Sequence, residues 1–481
     1  MCHNAAVRAL LVSTYELGRQ PFGLASPAAW LRRDGAEVRL VDIAKEPLPD
    51  DDVRQADLIA IHLPMHTATR LAVPIIQKMR SVNATARLCA YGLYAPLNAD
   101  WLRSLGVDDV LGGEFEGELA AIAREVAAGV VDLAAGPKDT PYATRAKPPT
   151  ATSLPRLQFL VPDRTGLPPL TSYATLQVGG ERVITGYTEA SRGCRHLCRH
   201  CPVVPVYQGQ FRVVQPEVVL ADVAAQIAAG ARHITFGDPD FFNGPTHAVR
   251  VVEGLHEAHP TITYDVTIKV EHLLRHRDLL GRLRETGCLF VTSAVESMDD
   301  RTLALLDKGH SRQDVLDAVA LCRRAGLTLV PTFVAFHPWM TLDSYCDLLQ
   351  VIDEQDLVDH VAPIQLAIRL LIPKGSRLLE IEETRRLALS FDPATLAYRW
   401  AHPDPRVDVL HGDVSALVGA RLTSDRREVF EDISALAHAR AGLVRPPTSP
   451  LDRAISRPPV PYLSEPWYCC AEPNPEQLHL L

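Results

Sequence analysis

The chain has 481 residues, 47% hydrophobic and 22% charged, with a net charge of −9. Such proportions suit a globular protein of about two to four domains, and arginines scattered among acids argue against broad nucleic-acid binding. No run reaches about 18 uninterrupted apolar residues, so no membrane span is expected. With no basic-then-apolar leader at the start, the expectation is a cytoplasmic protein whose cysteines are reduced, metal-binding or catalytic.

Residues 1–135 alternate short aliphatic runs (7–12, 37–42, 58–62, 87–90 and 109–111) with helical-length segments such as 26–34 and 67–80. That βαβα order predicts a parallel sheet covered on both faces. Ligands of such sheets bind at the carboxyl ends of the strands. Here those ends carry Ser13-Thr14-Tyr15-Glu16-Leu17-Gly18, Leu63-Pro64-Met65-His66 and Tyr91-Gly92-Leu93-Tyr94. His62 and His66 read as loop or core histidines. Residues 136–185 are rich in Pro, Thr and Ala, including Lys147-Pro148-Pro149, and read as an extended connector.

From 186 to 375 the alternation returns, with strands expected at 187–191, 233–236, 263–268, 289–294, 329–334 and 365–370. Helices are expected at 218–229, 301–306 and 314–325. Gly230 and Gly326 stand where helix C-termini place glycine. Six parallel βα units predict a partial (β/α)6 TIM-type barrel, with chemistry at the carboxyl ends of its strands. Residues 376–481 read as a mostly helical or irregular extension with helices at 377–389 and 425–441, closing on Trp467-Tyr468-Cys469-Cys470-Ala471-Glu472-Pro473.

Directly after the first barrel strand comes Ser191-Arg192-Gly193-Cys194-Arg195-His196-Leu197-Cys198-Arg199-His200-Cys201-Pro202. A Cys-x-x-x-Cys-x-x-Cys loop can turn three thiols toward one point. Three thiolates on a 4Fe–4S cube leave one iron open for a ligand. A Cys3His zinc site using His196 or His200 has compatible chemistry, and a structural disulfide is disfavoured in a reducing compartment.

This loop and its context resemble the radical S-adenosylmethionine (SAM) superfamily, in which the open iron chelates SAM and reductive cleavage gives a 5′-deoxyadenosyl radical. The resemblance implies Cys194, Cys198 and Cys201 as iron ligands, and SAM contacts spread over the strand ends. Those contacts are His200, Asp238 and Asp240 (in Gly237-Asp238-Pro239-Asp240), Ser293 and Glu296, then Thr332 and Phe336, then Arg369 on the sixth strand. Lys308 and Arg312 are candidates for the SAM carboxylate. It also implies an electron donor such as ferredoxin or flavodoxin.

Residues 1–135 resemble the Rossmann-like (flavodoxin-like) cobalamin-binding domain of one class of these enzymes, through Leu17-Gly18, Gly35-Ala36-Glu37-Val38, Val41-Asp42 and Gly113-Glu114-Phe115-Glu116-Gly117-Glu118. The Asp-x-His-x-x-Gly motif that gives cobalt a histidine in some cobalamin proteins is missing, so cobalamin is left open. The end of the chain resembles the CUAEP/CCAEP-tail radical SAM (seleno)proteins, where the position of Cys470 can be selenocysteine. That likeness implies Cys469 and Cys470 as a catalytic redox or nucleophilic pair.

The expected function is thus reductive SAM cleavage acting on a small-molecule or sulfur/selenium-related substrate. A cobalamin-dependent radical SAM methyltransferase and a non-catalytic zinc scaffold or sensor stand as alternatives.

Overall fold

In a computed structural model, residues 6–129, 157–421, 424–446 and 460–464 are described, without the side chains of Ala388 and Leu389. The N-terminal strands are β1 (Arg8–Ser13), β2 (Glu37–Asp42), β3 (Leu58–His62), β4 (Arg87–Tyr91) and β5 (Asp109–Leu111). All neighbours pair in parallel, in the order β2-β1-β3-β4-β5, which is the flavodoxin-like arrangement. Successive side chains of a strand point to opposite faces. Leu10, Val12, Ile59 and Ile61 therefore enter one core, and Ala9, Leu11, Leu58 and Ala60 enter the other. Burial on both faces is why these strands read as continuous apolar runs.

A second sheet holds β6 (Thr175–Val178) and β7 (Glu181–Thr188), while β8 (Ser191–Gly193) and β9 (Phe211–Val213) form a separate two-stranded ladder. β10 (His233–Phe236), β11 (Thr263–Thr267), β12 (Cys288–Glu296) and β13 (Thr328–Phe333) follow in parallel from β7. Alternation here has a different content. Val266, Val291 and Leu329 face the helices in the large core, whereas Asp265, Thr267, Thr292 and Val330 face an open lumen. The sheet curls into a half-barrel around that lumen.

The expected sixth strand is not a strand. Pro363 opens a 3-10 turn, Pro363–Leu366, and the Gln365 side chain takes the Phe333 backbone N–H at 2.9 Å in place of a ladder partner. Only Phe336 N–H to Ile368 O (2.9 Å) and Leu370 N–H to Phe336 O (2.7 Å) remain of the pairing. The expected helix over 377–389 also breaks. A short helix, Glu382–Leu387, gives way to β14 (Ala388–Asp392), which pairs antiparallel with β15 (Ala397–Trp400). A helix the sequence reading did not include, Pro405–Ala420, starts where the Asp404 carboxylate accepts the Arg406 N–H at 3.0 Å, with proline at its first position. Finally β16 (Tyr462–Leu463) adds antiparallel to β6. No helix among the described residues is long and apolar enough to cross a membrane.

The two sheets meet through a shared core. Val203, Val206 and Tyr207 beyond the cysteine loop, with Val334, Ile368 and Leu370 from the barrel mouth, pack among Val12, Ile61, Leu63 and Tyr94. The carboxyl edges of both sheets face this junction.

Candidate active site

The cysteine loop is the connection between β8 and β9, closed where Gly193 pairs with Phe211. Gly193 has φ +76°, and a Cβ there would lie 2.4 Å from the Tyr207 ring and 2.5 Å from Gln210 O. Only glycine fits this entry. Asn243 clasps the loop from below: its Oδ1 accepts the Arg195 N–H at 3.2 Å and sits 3.8 Å from Cys194 Sγ. Arg199 N–H donates to Leu306 O, and the Arg377 guanidinium donates to Leu197 O.

All three thiols are free, and Cys198 is buried. Burial raises Cys194 and pushes Cys201 up to about 12. Among the described residues, the one trio of ligating groups drawn within 4.8 Å of one another is His196, Asp240 and His272. The three cysteine sulfurs do not all lie that close to one another, whereas the edge of a tetrahedral zinc site with Zn–S bonds of about 2.3 Å is about 3.8 Å.

His196, Asp240 and His272 form a bracket behind the loop. His272 Nδ1 lies 2.7 Å from Asp240 Oδ2, and its Nε2 lies 3.3 Å from His196 Nε2. Burial works against the Asp240 charge, yet the two histidines hold its carboxyl down at about 2. Asp238 is turned into the same support. It accepts from Ala190 N–H at 2.9 Å and from the Ser191 hydroxyl, and burial raises it to about 7. Both carboxylates are thus occupied by the loop's own framework. Gly237 just before them has the Tyr187 hydroxyl 1.8 Å from where a Cβ would stand, so only glycine leaves room there for the Tyr187 ring.

Glu296 ends β12 at a bulge with φ +71°. Its Oε1 meets Lys308 Nζ at 3.3 Å and His200 Nε2 at 3.1 Å. Burial opposes its charge, but Lys308 and His200 outweigh it and hold the carboxyl at about 2. Burial also opposes the Lys308 charge, and Glu296 with the Cys198 and Cys201 thiols more than offsets it, so its pKa is raised. One cation therefore stands between the loop and the carboxylate.

Glu296, His200, Thr332 and Arg369 line one cavity of about 1660 Å³. Arg369 is held by Asp408 (2.8 Å), by Trp400 O (2.8 Å) and against the Trp400 ring. Ser293 and Phe336 are fully buried away from it: Ser293 follows the cavity-facing Thr292, and the Phe336 ring packs on Tyr345 and His411. Arg312 pairs with Asp347, away from the cavity. Cys469 and Cys470 lie outside the described residues.

The sequence reading passed over Arg192. Its guanidinium, almost fully buried, lies 2.7 Å from both Glu116 Oε1 and Glu189 Oε2 and 3.7 Å from Glu114 Oε2, against the Phe159 and Phe115 rings. Two carboxylates of the N-terminal Gly-Glu-Phe-Glu-Gly-Glu stretch are thereby locked to the residue two before Cys194. Arginine directly before the cysteine loop was the available signal. Asn243 and His272 were also passed over, because their partners Arg195 and His196 are 48 and 76 residues away, while His196, read only as a possible zinc ligand, lies 3.5 Å from Asp240. His62 hydrogen-bonds Glu16 at 2.8 Å and stacks by Tyr91.

A profile of the Radical SAM superfamily matches residues 188–352. Among curated proteins, the chain is 24% identical over 184 residues to the tRNA-2-methylthio-N(6)-dimethylallyladenosine synthase of Desulfosudis oleivorans, covering 36% of this chain and 38% of that one. It is 29% identical over 161 residues to the same enzyme of Chlorobaculum tepidum, covering 32% and 35%. The chain spans less than half the length of these relatives. Among solved structures, the cobalamin-dependent SAM radical enzyme OxsB with aqua-cobalamin bound superposes with TM-score 0.67 at 13% identity, covering 91% of this chain and 72% of that one. The radical SAM methyltransferase TsrM of Kitasatospora setae, with cobalamin and a [4Fe-4S] cluster, superposes with TM-score 0.60 at 16% identity, covering 93% and 92%. With its cysteine loop at the mouth of the half-barrel, the chain carries a segment matching the Radical SAM superfamily, and its fold, the Rossmann-like N-terminal domain included, is similar to those of the solved OxsB and TsrM structures.

Proposed function

We propose that this protein is a cobalamin-dependent radical SAM enzyme that methylates a small molecule held in the half-barrel. The observation that carries the proposal is the reach of its cavity. Leu17, Arg19 and Tyr94 from the carboxyl edge of the N-terminal sheet line the same space as His200 and Pro202 of the cysteine loop and Ile368, Arg369 and Leu370 across the mouth. A corrin is a broad apolar ring edged with amides. Leu17, Pro202, Ile368 and Leu370 offer flat apolar contact to such a ring. Arg19, stacked over Tyr187 with its buried Nε unpartnered, offers a donor to its rim. His62 is unsuited as a cobalt ligand, because Glu16 and Tyr91 engage it and a side chain at Gly23 would collide with its ring. Cobalamin, when bound, supplies a carrier for a methyl group, and the cluster with SAM supplies the electron and the methyl source.

The chain's own part is to hold these groups apart from water. Cys194, Cys198 and Cys201 would ligate the cluster. Lys308 places a buried cation beside two of them, which favours the thiolate form that iron needs. Glu296 and Thr332 face the space where SAM would lie, and the Glu296 carboxylate, kept charged, suits hydroxyl donors. Enzymes of this superfamily need a reductant. A ferredoxin or flavodoxin is proposed, meeting the loop's outer face at the exposed Leu197. Cys469 is five residues beyond Ser464, which is bonded to Thr175 at the edge of β6 and lines the cavity. Five residues span at most about 18 Å, and that anchor supports Cys470 as a nucleophile or redox partner, with Cys469 resolving.

Anaerobic production with hydroxocobalamin, followed by desalting, tests the reading. The expected product carries about four irons and one corrin per chain and passes labelled methyl from SAM to a metabolite. A protein with an intact cluster and no corrin absorption would sink it. SAM cleavage to 5′-deoxyadenosine in that corrin-free protein would restore a radical SAM reaction without cobalamin.

A further inference from the structure

The lumen below the cysteine loop holds a buried carboxylate that no lysine or arginine among the described residues meets. Asp265, on β11, is 5% exposed and lines the cavity. Its Oδ1 accepts the Thr235 hydroxyl at 2.6 Å and lies 2.9 Å from His233 Nε2. The His233 ring is fully buried, stacked on Phe290, with its Nδ1 2.8 Å from Thr263 Oγ1. Oδ1 is thereby filled and the carboxylate fixed, while no group among the described residues donates to Oδ2. Glu296, the other lumen acid on these strands, has Lys308. Asp265 has no lysine or arginine.

We infer that Asp265 is the recognition group for the substrate, and that the substrate is a small molecule bearing an ammonium group. A buried carboxylate with no lysine or arginine beside it and one oxygen left open to the lumen calls for a cation. A single metal ion is disfavoured, since Asp265 shares its neighbourhood with no further ligating trio. Guanidinium is disfavoured as well. Its fork needs both carboxylate oxygens, and Oδ1 already serves two donors. An ammonium has three N–H donors. Oδ2 takes one, and the hydroxyls of Thr235, Thr267 and Thr292 facing the same lumen can take the others.

The register adds a length. Asp265 pairs with Phe290, six residues before Glu296 on β12, or roughly 20 Å along the strand. A molecule whose ammonium meets Asp265 and whose other end reaches Glu296 must span that length. The inference deepens the proposed function by naming the substrate class of the same cavity.

Calorimetric titration of the full-length protein with 1-hexylammonium, 1-hexanol and hexanoate tests it. The ammonium is expected to bind at least ten-fold tighter than the alcohol, with hexanoate weakest. Asp265→Asn is expected to bring ammonium to the level of the alcohol. Equal binding of ammonium and alcohol by the wild-type protein overturns the inference even if the variant does not fold, and an unchanged preference in a folded Asp265→Asn overturns it too. Neither result depends on corrin or cluster, so a failure of cobalamin retention is read separately.

Discussion

Both large sheets of this protein are built on parallel strands wound by βα units, with β6 and β16 added antiparallel at one edge of the second, and they face each other with their carboxyl edges, yet one is filled and the other hollow. In the N-terminal sheet both faces of the strands carry buried apolar side chains, mostly Leu, Ile, Val and Ala, and helices close over them. In the half-barrel the helix side is equally apolar, but the inner side carries Thr235, Asp265, Thr267, Thr292 and Thr332. Hydroxyls and a carboxylate do not drive collapse, because burying them without partners costs about as much as apolar burial gains. A period-two pattern of apolar and threonine residues thus leaves a chamber where a doubly apolar pattern leaves a core.

The largest expected effect separates the two by function. Cys198→Ala should leave the N-terminal sheet folded while iron binding falls and SAM turnover drops at least about 10³-fold, measured by iron content, electron paramagnetic resonance and product formation. Turnover within ten-fold of wild type would mean that the loop is not the cluster site. Glu296→Gln comes next. It leaves Lys308 buried without its carboxylate, so it is expected to destabilise the protein by about 3 kcal/mol, read from urea midpoints, and to weaken SAM binding about 100-fold.

The comparison also explains what the sequence disclosed. Strands at 37–42, 58–62 and 109–111 were readable to the residue, since short apolar runs between turn residues leave few alternatives. The cysteine loop was readable because three thiols in eight residues are a chemical signal independent of packing. The sixth barrel strand was misread because Gln365-Leu366-Ala367-Ile368 has strand-like composition, and nothing local reveals that the Gln365 side chain replaces a backbone partner. Asp238 and Asp240 were expected as SAM contacts from their place after β10. Their occupation by Ser191, Ala190, His196 and His272 depends on tertiary contacts that spacing does not carry. Asp265 drew no notice, because a single acid in a strand has no motif and acquires meaning only from the lumen it faces.

A paired substitution tests the filled-against-hollow distinction directly. Leu11→Ala in the N-terminal sheet removes a fully buried side chain and is expected to cost about 3 kcal/mol. Thr292→Val in the half-barrel keeps volume and deletes a hydroxyl that faces the cavity. It is expected to change stability by less than about 1 kcal/mol while weakening 1-hexylammonium binding several-fold. Comparable losses of stability in the two variants would show that the lumen is packed like a core and that the contrast is false.

The smallest expected effect lies where the two regions meet. Glu114 and Glu116 approach the same Arg192, but only Glu116 is within 2.7 Å of it. Burial raises both. Arg192 more than compensates at Glu116, whose pKa is lowered, whereas burial prevails at Glu114 and carries it to about 7. The signs for stability are therefore opposite. Glu116 stabilises the fold above the ordinary carboxylate range, and that contribution fades on acidification. Glu114 is bound as the acid, so its contribution is complete below about pH 4 and is lost as pH rises through 7. Glu114→Gln, which keeps the shape and cannot ionise, should flatten the decline of the urea midpoint between pH 5 and pH 8 by the equivalent of about 2 kcal/mol. Asp42 and Asp238, also raised to about 7 by burial, should keep part of the slope. If the variant and the wild type decline in parallel, Arg192 neutralises Glu114 as fully as Glu116, and the junction is an evenly balanced lock.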